Sequence, residues 1–334
     1  MNCCVVGAGG WGTTIAIMLH ENGHNITLWD YNPEYSKILS ETRENSVYLP
    51  GIKIPNEIKV TSDLDLSIKK KHIIVLATPT QFLRSVLEKI DFSLIKNSTL
   101  VNLAKGVETT SLKRVSEIIK DVFSDITDDH ITTISGPSHA EEVCRKIPTT
   151  VVVGSTSYNT AKFVQSEFMN PYFRVYVSND IVGVELGGSL KNVIAIGAGI
   201  CDGAGFGDNT KAAIMTRGIA EISRLGIALG AHPETFAGLS GMGDVIVTCM
   251  SKHSRNRFVG QEIGKGKSLE QVLSEMSMVA EGIATSKSVY LLSKKVNVEV
   301  PICTEVYRIL YEQKDPILAT TELMTRQPKE ETWS

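Results

Sequence analysis

The chain contains 334 residues, of which 42% are hydrophobic and 21% are charged, and its formal net charge is −3. This length allows two domains with separate cores, and the composition is typical of a globular protein. Because 34 basic residues are balanced by 37 acidic ones, we expect no concentrated basic surface, and therefore neither nucleic acid nor a membrane among the partners.

The N-terminus MNCCVVGAGGWG lacks a basic leader and passes at once into a predicted strand, so we expect no targeting segment there. The longest apolar stretch, around residue 191, is interrupted by Asp202 and is shorter than the roughly 20 residues of a membrane-spanning helix. The six cysteines include no CxxC pair, a spacing that suits reduced thiols better than disulfides or a zinc site. We therefore predict a cytoplasmic protein without a metal centre.

The first half of the chain alternates short β-rich runs with segments of helical periodicity. Continuous apolar strands between helices favour a buried parallel sheet that is covered on both faces, which is a doubly wound α/β arrangement. The strands are predicted at residues 3–6, 25–29, 72–77, 99–103, 131–135, 150–154 and 173–177, and the helices at 11–22, 34–42, 81–90, 111–123 and 159–168.

From about residue 180 onward the periodicity is helical, and glycine-rich connectors separate the helices. The one segment that resembles a strand is 244–248. The sequence therefore predicts an α/β domain over residues 1–180 and an all-α domain over residues 181–334. The helices of the second domain are predicted at 181–198, 210–229, 254–265, 269–277, 284–294 and 304–312.

The stretch VVGAGGWG places Gly7, Gly9 and Gly12 in the G-x-G-x-x-G spacing, after the first predicted strand and at the start of a helix. In Rossmann-like domains the first glycine permits the tight turn, the second lets the backbone approach a pyrophosphate, and the third permits close helix–strand packing. An ordinary strand-to-helix turn is the alternative interpretation. The surrounding order of strand, helix and strand favours dinucleotide binding.

Asp30 follows the second predicted strand, 23 residues after Gly7. An acidic side chain at this position would bind the hydroxyl groups of the adenosine ribose, and it would repel a 2′-phosphate. The predicted cofactor is therefore NAD or NADP, with NAD favoured by Asp30.

The segment VELGGSLKNVIAIGAG places Lys191 within an apolar predicted helix. The periodicity is equally compatible with two interpretations: a lysine that extends from a buried helix to solvent, or a catalytic amine whose pKa is lowered by burial. The residues on its face of the helix are small or apolar, namely Val184, Gly187, Gly188, Ile194, Ala195 and Ala198.

Five segments occur in the order and spacing of one family: GAGGWG, NLAKGVE, SGPSHAEEV, VELGGSLKNVIAIGAGICDGAGFGDNTKAA and LSGMGDVIVTCMSKHSRNRFVG. With them the chain resembles the NAD(P)-dependent glycerol-3-phosphate dehydrogenases of the soluble bacterial type, from residue 3 to about residue 312. The resemblance implies a Rossmann-like N-terminal domain, a helical substrate domain and a homodimer. It also implies interconversion of dihydroxyacetone phosphate and sn-glycerol 3-phosphate, and a role in glycerophospholipid synthesis.

The resemblance further implies that Lys191 is the catalytic acid and base. Hydride delivered to C2 of the ketone leaves an alkoxide that an ammonium can protonate, and the neutral amine would take the proton in the reverse direction. Lys105, just past a predicted strand end, matches the second lysine of the family, which touches substrate and cofactor. Gly187 and Gly188 are expected to leave clearance beside the reacting carbon.

The remaining implied residues divide between the two ligands. Ser254, Arg255 and Asn256 are expected to form a polar cradle for the phosphate, whereas Arg257 is expected to be solvated. The implied substrate residues are Lys105, Gly136, Ser138, Lys191, Asn192, Asp244, Thr248, Ser254, Arg255 and Asn256. The implied cofactor residues are Gly7, Gly9, Gly10, Trp11, Gly12, Asp30, Tyr31, Lys105, Ala140, Arg255, Val279 and Glu281.

Some of these residues have structural alternatives. Ser138 would also serve as a helix cap, with Glu141 in the capping-box position. The resemblance implies that Asp244 contacts a substrate hydroxyl or orients a lysine, whereas an aspartate in a glycine loop is commonly a turn former. His139 stands where the family leads us to expect phenylalanine, and no role is assigned to it.

Two other functions stay open. One is a dehydrogenase of the same architecture that acts on a hydroxy acid. The other is a nucleotide-sensing protein that has lost its chemistry, although such a protein is expected to lack a lysine or the phosphate cradle, and this chain retains both.

Overall fold

Eight strands form one sheet in the order β3-β2-β1-β4-β5-β6-β7-β8 in the computed structural model, which describes residues 1–276, 278–328 and 330–331. The neighbouring strands are parallel except β6 and β7, which pair antiparallel. The strands are β1 (Asn2–Val6), β2 (Asn25–Trp29), β3 (Lys59–Thr61), β4 (Ile73–Leu76), β5 (Thr99–Asn102), β6 (Ile131–Ser135), β7 (Thr149–Gly154) and β8 (Phe173–Ser178).

The helices of this half connect successive strands. They are α1 (Gly10–Glu21), α2 (Pro33–Thr42), α3 (Leu64–Ile68), α4 (Thr80–Leu87), α5 (Val115–Val122), α6 (Ala140–Val143) and α7 (Tyr158–Phe168). The doubly wound prediction is confirmed, apart from the reversal of β7. The connection from β6 to β7 contains only the four-residue helix α6, so the chain re-enters the sheet from the edge at which β6 ended instead of crossing back.

Among the strands and α-helices of this half, three short ones were not predicted from the sequence: β3, α3 and α6. The strand β3 has three residues, none of them buried, and the two helices have five and four residues. Segments of this length are too short for a hydrophobic period to be recognised.

Two hydrophobic cores lie on opposite faces of the sheet, because successive side chains of a strand alternate between its faces. Cys3 and Val5 of β1 pack into the core that includes residues of α1 and α7. Cys4 and Val6 pack into the core that includes residues of α4 and α5. Because the central strands between these cores are parallel, their carboxyl ends lie at the same edge of the sheet, where open α/β sheets bind their ligands.

The chain is helical after β8, as predicted, and within the described residues this half contains no strand. The prediction of a helix at 269–277 extends to residue 277, which lies outside the described residues. The helices are α8 (Ile181–Gly203), α9 (Asp208–Ala228), α10 (Pro233–Phe236), α11 (Asp244–Met250), α12 (Arg255–Gly264), α13 (Leu269–Ser274), α14 (Glu281–Lys295), α15 (Pro301–Tyr311) and α16 (Pro316–Met324).

The possible strand at 244–248 was wrong, since this segment is the start of α11. Its run of Val, Ile and Val favours a strand by local propensity. The buried residues of α11 are Asp244, Val245, Thr248 and Cys249, which recur at intervals of four, the spacing of one helix face. Packing of this face against α8 therefore overrides the local preference.

Helix α8 is the centre of the second half and packs against α9, α11, α12 and α14, and against β6 and β7. It has 23 residues and is thus longer than predicted; by length and composition alone it could cross a membrane. However, 94% of its most apolar window is buried inside the protein. Its position in the protein's own core accounts for its apolar composition.

Candidate active site

The glycine loop joins β1 to α1 at the carboxyl edge of the sheet. Gly7 has a φ of +118°, and a Cβ there would meet the backbone of Ala77 at 2.9 Å. A Cβ on Gly12 would overlap the carbonyl oxygen of Gly7, whereas a Cβ on Gly9 would meet nothing within 4 Å. Gly7 and Gly12 are therefore packed closely against the fold, whereas Gly9 is open, and the loop leads into the N-terminus of α1. This arrangement fits the pyrophosphate of a dinucleotide.

Asp30 lies directly after β2, near the same loop, and is 6% exposed. Its carboxylate accepts a hydrogen bond from the Asn32 N–H at 3.0 Å. Burial raises the pKa of Asp30, and backbone hydrogen bonds from Asn32 and from Ala8 of the glycine loop oppose this. The neighbouring Tyr31 is exposed.

Gly10 and Trp11 begin α1 and face different parts of the fold. A Cβ on Gly10 would lie 3.9 Å from the Cβ of Ala140, which places the predicted cofactor residue Ala140 beside the glycine loop. The ring of Trp11 lies 6.4 Å from that of Phe173, measured between centroids. The Trp11 side chain therefore packs toward β8.

Lys191 is buried at the middle of α8 and does not reach solvent. Its Nζ donates hydrogen bonds to Oδ1 of Asp244 at 2.8 Å and to Oγ1 of Thr248 at 2.6 Å. The lysine side chain is 7% exposed and that of Asp244 1% exposed. Of the two sequence interpretations, the extension of this lysine to solvent is therefore wrong.

Lys105 approaches the same aspartate from the other half of the chain. It follows β5, and its Nζ donates to Oδ2 of Asp244 at 2.6 Å and to the carbonyl oxygen of Gly136 at 3.0 Å. The two lysines thus hold the two oxygens of one carboxylate. Asp244 therefore orients lysines, which is one of the roles expected for it, and does not form a turn.

The electrostatics of this cluster follow from its burial and its charge. Burial lowers the pKa of Lys191 to about 8, the Asp244 charge opposes that shift, and the Lys105 charge adds to it. Burial raises the pKa of Asp244, but the two ammonium groups outweigh this and leave its pKa below the ordinary value. Near neutral pH the cluster can therefore hold or release a proton at Lys191.

The backbone of Lys105 is clamped from the helical half on both sides. Glu281, the first residue of α14, accepts hydrogen bonds from the Lys105 N–H at 3.1 Å and from the Thr80 N–H at 2.9 Å. The side-chain amide of Asn192 donates to the Lys105 carbonyl at 2.9 Å. The position of the Lys105 side chain is consequently set by both halves of the molecule.

Asn192 is linked in turn to α12. The Asn256 amide donates to the Asn192 side-chain oxygen at 2.9 Å, and its own oxygen accepts from the Gly282 N–H at 2.9 Å. Helix α12 also lies very close to α8, because a Cβ on Gly260 would overlap the carbonyl oxygen of Ile196. Three helices are thereby fixed around the predicted substrate residues.

The segment 136–140 closes another side of the lysine cluster. Ser138 Oγ donates to the carbonyl oxygen of Gly136 at 2.9 Å, the same oxygen that accepts from Lys105. Helix α6 begins at Ala140 with His139 before it, and no side chain caps it. The alternative of a capping box with Ser138 and Glu141 is therefore wrong.

The SRN segment lies at the start of α12. Ser254 is buried and caps the helix by accepting from the Arg257 N–H at 3.1 Å. Arg255 is exposed, and its Nη1 donates to the carbonyl oxygen of Val279 at 2.9 Å. Arg257 is not simply solvated as expected, since its Nε donates to Asp202 at 2.7 Å.

Gly187 and Gly188 are required for the close packing of α8 against its neighbours. A Cβ on Gly187 would lie 2.6 Å from the carbonyl oxygen of Ser240, and a Cβ on Gly188 would overlap the hydroxyl of Ser135. These glycines let α8 approach β6 and the π-helical turn Leu239–Gly243, which directly precedes α11. Lys191 can reach Asp244 because the elements come this close.

Sequence reasoning missed one neighbour of the cluster, Ser135. It is the last residue of β6, and its Oγ donates to Oδ2 of Asp244 at 3.4 Å. A serine at the carboxyl end of a predicted parallel strand was the available signal.

An apolar groove of about 710 Å³, lined by Met242, Ile246 and Met250 among others, contains none of the predicted site residues. The described residues contain no group of three or more metal-ligating side chains.

A Rossmann-like sheet with an open glycine loop, joined to helices that bring two lysines onto one buried aspartate, defines a two-domain dehydrogenase that uses a nicotinamide dinucleotide. The family model described as NAD-dependent glycerol-3-phosphate dehydrogenase N-terminus matches residues 2–161, and the corresponding C-terminus model matches residues 180–321. The chain belongs to the NAD-dependent glycerol-3-phosphate dehydrogenase family, and it is an oxidoreductase.

Individual relatives agree with this assignment over almost the whole chain. The glycerol-3-phosphate dehydrogenase (NAD(P)+) of Thermoanaerobacter sp. (strain X514) is 53% identical over 331 residues, which are 99% of each chain. The enzyme of the same name from Chlorobium phaeobacteroides (strain BS1) is 49% identical, again over 99% of each chain. The crystal structure of glycerol-3-phosphate dehydrogenase from Coxiella burnetii has a TM-score of 0.93 at 32% identity and covers 97% of this chain and 99% of that one.

Proposed function

We propose that this enzyme interconverts dihydroxyacetone phosphate and sn-glycerol 3-phosphate, with Lys191 as the general acid and base. The observation that carries the proposal is the pair of lysines, Lys191 and Lys105, on the buried carboxylate of Asp244. Family membership supports the substrate, and the position of the cluster at the carboxyl edge of the sheet supports its access to a cofactor on the glycine loop.

The proton transfer is assigned to Lys191. When bound, the reduced nicotinamide supplies a hydride to C2 of the ketone. The Lys191 ammonium gives its proton to the alkoxide oxygen that forms, and in the reverse reaction its neutral amine removes the hydroxyl proton. Lys105 stabilises the developing negative charge on the same oxygen. Asp244 holds both side chains in position, assisted by Thr248.

The two ligands are assigned to the residues expected from the sequence. For the substrate, Ser254, Arg255 and Asn256 hold the phosphate, while Gly136, Ser138 and Asn192 surround the reacting end. For the cofactor, Gly7, Gly9, Gly10, Trp11 and Gly12 bind the pyrophosphate side, Asp30 and Tyr31 the adenosine side, and Lys105, Ala140, Arg255, Val279 and Glu281 the nicotinamide side. Glu281 and Arg255 already bridge these segments through hydrogen bonds to Lys105 and Val279.

One assay separates the candidate functions. NADH oxidation is followed with dihydroxyacetone phosphate, with unphosphorylated dihydroxyacetone and with hydroxypyruvate. We expect turnover with the phosphorylated ketone and little with the other two. Absence of turnover with dihydroxyacetone phosphate would exclude the proposed reaction, and turnover with hydroxypyruvate would favour a hydroxy-acid dehydrogenase. NADH binding without any turnover would favour a nucleotide-sensing protein.

NAD is proposed as the preferred cofactor, because the Asp30 carboxylate lies beside the glycine loop and would repel the 2′-phosphate of NADP. We expect kcat/KM to be higher for NADH than for NADPH, and Asp30→Ala to reduce that preference. A lower KM for NADPH than for NADH in the wild-type enzyme would contradict the assignment.

Three further proposals concern the enzyme as a whole. The division into a cofactor domain (residues 1–180) and a substrate domain (181–334) is supported by the end of β8 at Ser178 and the start of α8 at Ile181. A cytoplasmic homodimer without a membrane partner is proposed from the family resemblance. A mass of 36.4 kDa in sedimentation equilibrium, which is the mass of a single chain, would contradict the dimer.

A role in supplying glycerol 3-phosphate for glycerophospholipid synthesis is proposed as well. It predicts that the enzyme rescues a bacterial strain that is auxotrophic for glycerol 3-phosphate.

A further inference from the structure

His139 has an unexplained polar atom at the edge of the candidate active site. It lies between Ser138 and Ala140, and its backbone carbonyl accepts hydrogen bonds from the N–H groups of Glu142 and Val143 at the start of α6. Its Nε2, by contrast, is buried and has no hydrogen-bond partner among the described residues. Buried polar atoms nearly always have a partner, so this nitrogen is expected to meet one when the site is filled.

The ring of His139 connects two segments that are both proposed to bind the substrate. Its centroid lies 5.9 Å from that of His253, with 53° between the ring planes. His253 directly precedes Ser254 and Arg255, the first residues of the proposed phosphate cradle. The imidazole of His139 is therefore held against the segment that leads into that cradle.

The charges around His139 decide its ionisation. Burial lowers the pKa of the imidazole, and the charges of Lys191 and Lys105 lower it further, while Glu141 and Asp244 oppose them. At neutral pH the ring is consequently uncharged. A neutral imidazole has one N–H group that can donate a hydrogen bond.

We propose that His139 is a specificity-determining residue, whose Nε2–H donates a hydrogen bond to an oxygen of the substrate's phosphoryl group. This inference rests on the proposed function. Phenylalanine, which the family resemblance led us to expect here, fills a similar volume but offers no donor. His139 therefore adds a phosphate contact to the cradle of Ser254, Arg255 and Asn256.

The test compares four variants with the wild-type enzyme: His139→Phe, His139→Leu, His139→Gln and His253→Phe. His139→Phe and His139→Leu remove the donor, whereas His139→Gln keeps an N–H near the position of Nε2. His253→Phe retains the ring contact and is the control for packing. For each, KM for dihydroxyacetone phosphate, kcat/KM for unphosphorylated dihydroxyacetone, KM for NADH and the melting temperature are measured.

We expect His139→Phe and His139→Leu to raise KM for dihydroxyacetone phosphate about three- to tenfold, the effect of one lost hydrogen bond. KM for NADH and kcat/KM for the unphosphorylated ketone should stay within about twofold, as should every constant of His139→Gln and His253→Phe. An unchanged KM for dihydroxyacetone phosphate in both donor-free variants would overturn the inference, as would an equal loss with the unphosphorylated ketone. If the wild-type enzyme does not reduce dihydroxyacetone phosphate, the proposed function fails instead.

Discussion

Lys105 and Lys191, one after a strand of the sheet and the other in the central helix of the second half, hold the two oxygens of a single buried carboxylate, that of Asp244. The distances are 2.6 Å from Lys105 and 2.8 Å from Lys191. Two cations on one anion leave the cluster with a net positive charge in a place with almost no solvent. Such an arrangement stabilises negative charge that forms on a bound substrate.

Removal of the Lys191 amine should strongly reduce turnover and leave cofactor binding intact. The proposed proton donor is lost in Lys191→Ala, while the glycine loop, which lies in the other half of the chain, is untouched. We expect kcat to fall by about 10²–10⁴-fold, the usual contribution of a positioned acid or base. NADH binding, followed by fluorescence titration, should stay near the wild-type value. Near-normal kcat in Lys191→Ala would remove this residue from the mechanism.

The pH dependence of the enzyme should report the pKa of Lys191, which burial lowers to about 8. In the proposed mechanism the oxidation of glycerol 3-phosphate needs the neutral amine, so its kcat/KM should rise as the pH increases through about 8. Reduction of the ketone needs the ammonium, so its kcat/KM should fall over the same range.

The substitution Asp244→Asn should shift the pKa of Lys191, and with it the pH profile, in a predictable direction. The Asp244 charge favours the charged form of Lys191, so its removal lowers the pKa of that lysine further. The rising limb of the pH profile of kcat/KM for the oxidation should move to lower pH, even where the maximal kcat/KM of the variant differs from that of the wild type. A move to higher pH would contradict the assignment of this limb to Lys191.

Two neighbouring arginines offer a matched pair. Arg255 is exposed and bonds to Val279, whereas Arg257 pairs with Asp202 away from the lysine cluster. Arg255→Ala should raise KM for dihydroxyacetone phosphate by about tenfold or more, because the proposed charge-assisted phosphate contact is lost. Arg257→Ala should affect the melting temperature more than KM. Equal KM values for the two variants would argue against a phosphate contact by Arg255.

The close approach of α8 to the turn before α11 should be sensitive to a single methyl group. In Gly187→Ala the new Cβ would lie 2.6 Å from the Ser240 backbone oxygen, so the elements must separate and Lys191 must move relative to Asp244. We expect a loss of about 1–3 kcal/mol in the free energy of unfolding, together with a lower kcat. Gly207→Ala, where a Cβ meets nothing within 4 Å, is the control. Equal stability of the two variants would contradict this interpretation.

A buried glutamate in the helical half should make stability depend on pH. Glu221 of α9 accepts hydrogen bonds from the N–H groups of Ile302 and Cys303 at the start of α15, at 2.8 and 3.1 Å. Burial raises its pKa from 4.5 to about 7. The folded state thus binds a proton more tightly than the unfolded state, and the resulting stabilisation is lost as the pH rises through about 7.

Glu221→Gln cannot ionise and should not lose this contribution. Between pH 5 and pH 8 the free energy of unfolding of the wild type should fall relative to that of the variant by on the order of 2 kcal/mol. Urea unfolding at the two pH values measures this difference. A constant difference between the two proteins would show that Glu221 does not titrate in this range.

Local sequence patterns were sufficient to predict much of the secondary structure of this protein. Alternating strands and helices, the glycine spacing from Gly7 to Gly12, and the helical period after residue 180 each predicted elements that the structure contains. These features depend on neighbours within a few positions, so the sequence carries them directly. The sequence also placed an amine, Lys191, on a face of small residues, but the period alone left its burial undecided.

Only the tertiary structure decided how the site is assembled. The antiparallel entry of β7, the helical conformation of 244–250, the clamping of Lys105 by Glu281 and Asn192, and the packing role of Gly187 all depend on residues far apart in the chain. Such contacts are formed when the two halves pack together, and no local period encodes them. By itself the sequence determined the elements and the residue types of the site. The packing of α8 against the sheet and α11 determined that two lysines meet on one aspartate. This packing depends on glycines in α8, because only a residue without a Cβ allows the elements to come so close.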